Sequence, residues 1–303
     1  QKKSYFEGWY YKIVDATEKF AFAIIPAMSI DSKGEKHAFI QVLDGKKLTS
    51  EYHRFDIESF HAASGKMNIS IGKNHFSEDH LSIDLPEIKG TIHFKNRTPW
   101  PKPLHSPGIM GPYAFVPFME CYHGIVSMDH ELLGTITYQN KEINFDLGRG
   151  YMEKDWGKSF PKAYIWMQCN HFSQPEISLK CSVAKIPWIR KEFTGFICGI
   201  WLQDKLYRFT TYNRSKLVIL VSDEEKVELI IKNKKHLIEI TAFRDQATSL
   251  ASPILGHMEG KIEESMNSII EVTLTDMRTN QIIFQDKGRN GALEVVEGNV
   301  LIS

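Results

Sequence analysis

Between positions 150 and 170 this sequence gathers groups suited to acid chemistry in an apolar setting. Glu153 and Asp155 supply two carboxyls, Trp156 and Trp166 two indoles, Gln168 and Asn170 two amides, and Cys169 a thiol. Tyr151 stands just ahead of them, and Glu7, flanked by Phe6 and Trp9, repeats the pairing of carboxyl and ring near the start of the chain. Chemistry that makes and shelters a carbocation needs a carboxylic acid that keeps its proton and a site that excludes water. Burial can raise a carboxyl pKa by up to about 3–5 units, and a desolvated aromatic face stabilises a nearby cation by about 2 kcal/mol. Capture of that cation by a protic nucleophile then needs a base for the released proton. His123 could serve, because an unperturbed imidazole titrates near neutrality.

Each residue also has a plainer role open to it. Glu153 could accept backbone N–H groups or pair with an arginine, and Asp155 could pair with Lys154 at the surface. Trp9, Trp156 and Trp166 could be core packing, and Gln168 with Asn170 a buried amide ladder. His123 could be a satisfied interior histidine. Cys169, with no basic neighbour in sequence, reads as a small buried filler rather than a nucleophile. Strand alternation would put Tyr151, Glu153 and Asp155 on one face and Lys154 and Trp156 on the other.

Other chemistries lack their signatures. There is no GxSxG elbow, P-loop or GxGxxG fingerprint, and the twelve histidines show no HExxH spacing, so neither a metal nor a cofactor is expected. Thirty-seven basic and 37 acidic residues balance to zero net charge, with no basic stripe of the kind nucleic-acid binding requires. Four cysteines, at 121, 169, 181 and 198, form no CxxC pair and are expected to be reduced thiols. No stretch reaches the roughly 18–20 apolar residues of a membrane-spanning helix. A cytoplasmic protein is the expectation, although a removed leader would leave no trace.

The elements that must position these groups read almost entirely as strands. Runs at 5–14, 20–30 and 37–43 form an antiparallel meander, with Asp44-Gly45 favouring a tight hairpin. Further alternation appears at 67–71, 81–85 and 90–94. The segment 97–118 carries Pro99, Pro101, Pro103, Pro107, Pro112 and Pro117; six missing donors exclude a central strand, and its aromatics suggest an ordered crossing loop. Hairpins are expected from 122–129 with 133–138 and at 142–147. Strands follow at 163–170, 177–185, 194–202, 205–212, 216–221, 226–231 and 236–243, then a hairpin of 269–276 with 281–286 and a closing strand at 291–302. The 303 residues, 42% hydrophobic, accommodate two domains. The fold class is all-β, two successive antiparallel barrels or sandwiches with little helix, divided as 1–140 and 141–303.

Three separated motifs resemble those of the tocopherol cyclase family. Phe6-Glu7-Gly8-Trp9-Tyr10-Tyr11-Lys12 resembles FFEGWYFK. Tyr151-Met152-Glu153-Lys154-Asp155-Trp156-Gly157, then Phe160-Pro161, then Trp166-Met167-Gln168-Cys169-Asn170 and Phe172, resemble YSEKNWG, FP and WVQCN-x-F. Thr248-Ser249-Leu250-Ala251-Ser252-Pro253 resembles TPLRAP. The resemblance implies lipocalin-like barrels and closure of a chromanol ring by protonation of a prenyl double bond. It also extends to carotenoid hydratases. Asp155 stands where the plant motif has Asn, and His123 falls one position later than the plant histidine.

On this resemblance Glu153, a Glu in the family motif too, is the first choice of proton donor, with Glu7, Asp155 and His123 as further catalytic candidates. Trp9, Tyr10, Tyr151, Trp156, Trp166, Gln168 and Asn170 are the expected substrate-binding residues. The expected activity is cofactor-free cyclisation of a prenylated quinol or related isoprenoid. The alternatives are a hydratase that adds water and a non-catalytic carrier of a lipophilic molecule. The expected partner is a lipophilic small molecule, with transient membrane contact and no nucleic acid.

Overall fold

The computed structural model describes residues 4–63, 65, 67–104, 106–189 and 191–301. Among them the regular structure is strand throughout, apart from a few short 3-10 turns. The strands form two antiparallel sheets of twelve and ten strands. Among the described residues neither strand path closes on itself by hydrogen bonding, so each sheet is sandwich-like rather than a sealed barrel. Why the segments form strands is visible in the local pattern. Along Lys226–Lys232, for example, Val227, Leu229 and Ile231 are buried while Lys226, Glu228, Ile230 and Lys232 are partly exposed, the period-two signature of a strand with one face on a core.

The chain divides into two compact units, and the division differs from the expected boundary at 140. The first unit takes Gln1–Pro101, Cys121–Phe160 and Leu250–Lys261; the second takes Lys102–Glu120, Pro161–Ser249 and Ile262–Ser303. The strand Arg149–Gly157 lies in the interior of the twelve-stranded sheet, paired on one side with Tyr5–Val14 and on the other with Cys121–Tyr138. A cut at 140 would remove that strand from its sheet. Pairing over more than a hundred residues, which no local signal announces, sets the boundary.

In the first unit one face of the sheet packs around Trp9, Tyr11, Ile13, Phe22, Ile40 and Met152 together with the Ile69–Phe94 meander. Residues 250–261 return to this unit. Gln41 donates its amide to the Ala251 carbonyl at 3.0 Å and accepts the Ala251 N–H at 2.9 Å, and the Phe160 N–H reaches Pro253 O. The second unit has its own core, from Ile165, Met167, Leu179, Val183, Phe209, Leu229 and neighbours.

Three local expectations change. The hairpin expected between 122–129 and 133–138 is one bent strand, Cys121–Tyr138, whose register shifts twice between Ile125 and His130. Its first part pairs with Arg149–Gly157 and its last with Ile88–Lys95, so bulges turn it where a loop was expected. The strands expected at 281–286 and 291–302 fuse into Gln281–Val296, again through register shifts rather than a break. At Asp44-Gly45 the strands Lys36–Asp44 and Thr49–Asp56 meet through a four-residue loop, because Asp44 Oδ1 accepts the N–H groups of Lys46 and Lys47, both at 2.9 Å.

Candidate active site

Strand alternation sorts the central motif onto two faces. Tyr151, Glu153 and Asp155 stand opposite Lys12, Tyr10 and Gly8 of Tyr5–Val14, and Glu153 and Asp155 stand opposite Ile125 and His123 of Cys121–Tyr138. Residues paired across a ladder share a face. One face of three neighbouring strands therefore collects Tyr10, Lys12, His123, Tyr151, Glu153 and Asp155, the face turned away from the core that holds Trp9, Tyr11 and Met152.

The polar groups on this face form a chain. Asp155 Oδ1 lies 2.7 Å from His123 Nδ1, and His123 Nε2 lies 3.5 Å from Glu153 Oε2. Glu153 Oε2 also accepts a hydrogen bond from the Tyr151 hydroxyl. Glu153 is buried, with 4% of its side chain exposed, against 13% for His123 and 22% for Asp155. Burial first, and then the neighbouring Glu153 charge, push the Tyr151 phenol well above its ordinary pKa, so it remains a protonated donor to the carboxyl. The Tyr10 and Tyr151 rings meet edge to face at 6.4 Å.

His123, Glu153 and Asp155 place one ligand atom each within 4.8 Å of one another, a donor set able by type to hold a metal ion. The imidazole, however, turns opposite nitrogens to the two carboxylates. An ion binds a histidine through one nitrogen, so this arrangement suits a proton path from carboxylate through imidazole to carboxylate better than a shared metal.

The opposite face holds the rest of the expected aromatic site, and it is occupied. The Lys154 ammonium pairs with Glu7 and lies 4.9 Å from the Trp9 ring centroid and 5.2 Å from that of Trp156. Tyr122 stacks on Trp156 at 5.5 Å, Trp9 on Phe60 at 6.5 Å, and Tyr5 donates to Glu7 Oε2 at 3.0 Å. The indoles thus shelter a cation, but it is the protein's own lysine. Trp9, Trp156 and Glu7 are not brought together with Glu153, because period-two alternation sends neighbours to opposite sides.

Trp166, Gln168 and Asn170 belong to the second unit. Trp166 and Gln168 share the face of Tyr164–Cys169 opposite its apolar core residues Ile165, Met167 and Cys169. Asn170 lies just beyond that strand, 3.0 Å from His171 Nδ1. Around Trp166 the register aligns Ser182, Glu294 and Glu264 in one row. Lys180, fully buried, reaches over Trp166 at 5.1 Å and donates to Ser182 Oγ; the Tyr164 hydroxyl donates to Glu294 at 2.7 Å.

Lys12, Lys180, Glu264 and Glu294 were absent from the expected site. A signal for two of them exists: Lys12 is in phase with Tyr10, and Lys180 with Ser178 and Ser182, each in a strand whose other phase is apolar. A lysine in such a phase points to a buried polar face.

Fold and site together define an all-β protein of two antiparallel sheets with an acid–imidazole cluster, built around the buried Glu153, on the face turned away from the first unit's core. The tocopherol cyclase-like family model matches residues 87–297, and the chain belongs to that family. It is 28% identical over 147 residues to the probable chloroplastic tocopherol cyclase of Oryza sativa subsp. japonica, a match covering 47% of this chain and 31% of that protein, so it spans about a third of the relative's length. Among solved structures, CghA with Sch210972 superposes with a TM-score of 0.60 at 10% identity, over 97% of this chain and 88% of that one. Kievitone hydratase from Nectria haematococca gives 0.51 at 11% identity, over 97% and 89%. At these identities the likeness establishes the fold. Among the described residues no helix is long and apolar enough to cross a membrane.

Proposed function

We propose that this chain is a cofactor-free acid catalyst that protonates an isolated double bond of a lipophilic, isoprenoid-type molecule, with Glu153 as the donor and ring closure as the outcome. The reading rests on one observation, the buried Glu153 carboxyl contacted by both Tyr151 and His123, with Asp155 behind the imidazole. Glu153 gives its proton to the less substituted alkene carbon, leaving a tertiary cation. A phenol oxygen of the same substrate captures the cation and releases a proton. His123 takes that proton at Nε2 while Asp155 holds Nδ1 and stabilises the imidazolium, and the proton returns to Glu153 across the Nε2 to Oε2 gap. The cycle consumes nothing, so the product is an isomer of the substrate.

Family membership and the name of the rice relative support this substrate class. The name of kievitone hydratase, a protein of similar fold, supports a second reading, in which water captures the same cation. Either reading has a cytoplasmic protein that collects its substrate in transient contact with membranes.

The test is incubation of purified protein with prenylated quinols and mass analysis of the product. An isomer identifies cyclisation, and a gain of one water identifies hydration. Bound lipid with no turnover would leave a carrier and end the enzymatic reading. Glu153→Gln should lower the rate by about 10²-fold or more, the usual contribution of a general acid, with the β-sheet circular dichroism unchanged. Wild-type turnover in that variant would remove Glu153 from the role.

A further inference from the structure

Three histidines outside the site above occupy neighbouring short strands of the first unit: His75 on Asn74–Ser77, His80 on His80–Asp84 and His93 on Ile88–Lys95. Phe76, Leu81, Ile83, Ile92 and Phe94 from the same strands enter the core, so alternation turns the histidines to the other face. His80 stands directly opposite His93, and His75 opposite Ser82. His75 and His80 are partly exposed and His93 is exposed.

His75 Nδ1 and His80 Nε2 face one another at 3.0 Å. The outer nitrogens are held: His75 Nε2 lies 2.7 Å from the Asn68 side-chain oxygen, and His80 Nδ1 lies 3.1 Å from Ser77 Oγ. An amide oxygen only accepts, so Asn68 keeps the hydrogen on His75 Nε2, and His75 Nδ1 accepts the 3.0 Å hydrogen bond from His80 Nε2; an ion between the two rings takes the place of that hydrogen, which His80 then carries on Nδ1 beside Ser77 Oγ. The His75 and His80 rings lie 4.9 Å apart, and those of His80 and His93 5.7 Å apart. Hydrogen bonds to the far nitrogen are how proteins orient metal-bound imidazoles.

We propose that His75 and His80, with His93 beside them, bind a first-row divalent transition ion. With metal–nitrogen bonds of about 2.0–2.1 Å, donors 3.0 Å apart subtend roughly a right angle at the ion. That is the cis angle of square-planar or octahedral Ni²⁺ and Cu²⁺. Zn²⁺ fits once the pair opens to about 3.4 Å, the spacing of two tetrahedral ligands. The ion would clip consecutive strands of the meander and stabilise the folded unit by mass action.

Protein carrying no histidine tag is titrated with NiCl₂ and separately with ZnCl₂ by calorimetry at pH 7.5, and its thermal midpoint is followed with and without the metal. The expected result is one ion per chain and a raised midpoint. In His75→Ala and in His80→Ala, Kd should rise by about tenfold or more and the metal-dependent shift should vanish. His123→Ala should bind as the wild type does, which separates this site from the His123–Glu153–Asp155 cluster. No binding at all, or binding kept in His80→Ala and lost in His123→Ala, would overturn the assignment.

Discussion

At the scale of single residues, Lys154 shows how a site of the right composition can be spent on structure. Its ammonium pairs with Glu7 and lies against the Trp9 and Trp156 rings, so those groups act on the face opposite Glu153. Replacing Lys154 by Met should leave turnover unchanged while lowering stability by about 2 kcal/mol, since two partly desolvated cation–π contacts are lost and Glu7 keeps no partner on Lys154. The urea midpoint measures the stability and product formation measures the turnover. A large loss of turnover without loss of stability would place Lys154 in the chemistry. Glu153, by contrast, has its contacts on the side where Tyr10, Lys12 and His123 also stand, and its burial gives an acid role a physical basis.

At the scale of elements, the bent strand Cys121–Tyr138 does the organising. Its first part carries His123 to Asp155, and its last part pairs with Ile88–Lys95. Gly134 sits in the last part with φ +132°, where a Cβ would stand 2.3 Å from Thr91 O. Its N–H is bonded to Asp146 Oδ1 and its carbonyl accepts from Phe145, so the backbone has little room to relax. Gly134→Ala should destabilise the first unit by about 3 kcal/mol, read as a lower denaturation midpoint. An unchanged midpoint would mean that this bend is not constrained as described.

At the scale of the whole molecule, acid stability follows from a group with no part in the proposed chemistry. His130 is fully buried beside Phe94, and neither ring nitrogen has a hydrogen-bond partner among the described residues. Burial, with the Arg97 charge second, pushes its pKa down to about 3. Above about pH 6.5 the imidazole is neutral in folded and unfolded chains alike, and its burial carries no proton penalty. Below that, the unfolded chain takes up a proton that the folded chain refuses, so stability falls as pH drops from about 6.5 toward 3, by at most about 1.4 kcal/mol per pH unit. His130→Leu should flatten the fall between pH 6.5 and 4.5, measured by urea midpoints at each pH. Equal slopes in variant and wild type would assign the acid sensitivity elsewhere.

Much of this protein was legible in one dimension. The strand content followed from apolar alternation and turn residues, because a half-buried sheet demands a period of two. The same period alone put Tyr151, Glu153 and Asp155 in phase and separated them from Lys154 and Trp156. What stands beside them was not legible. That His123 meets Asp155 depends on a register between strands about thirty residues apart, reached through bulges that leave no clear mark in the sequence. That Trp9 meets Lys154 depends on pairing across more than a hundred residues. The same long-range pairing put Arg149–Gly157 in the first sheet, and the chain contributes to each unit more than once, Lys102–Glu120 belonging to the second and Leu250–Lys261 to the first. Local sequence sets which side of a strand a group occupies; only the packing of distant strands selects its neighbours, because pairing energy is gained between segments that carry no shared local signal.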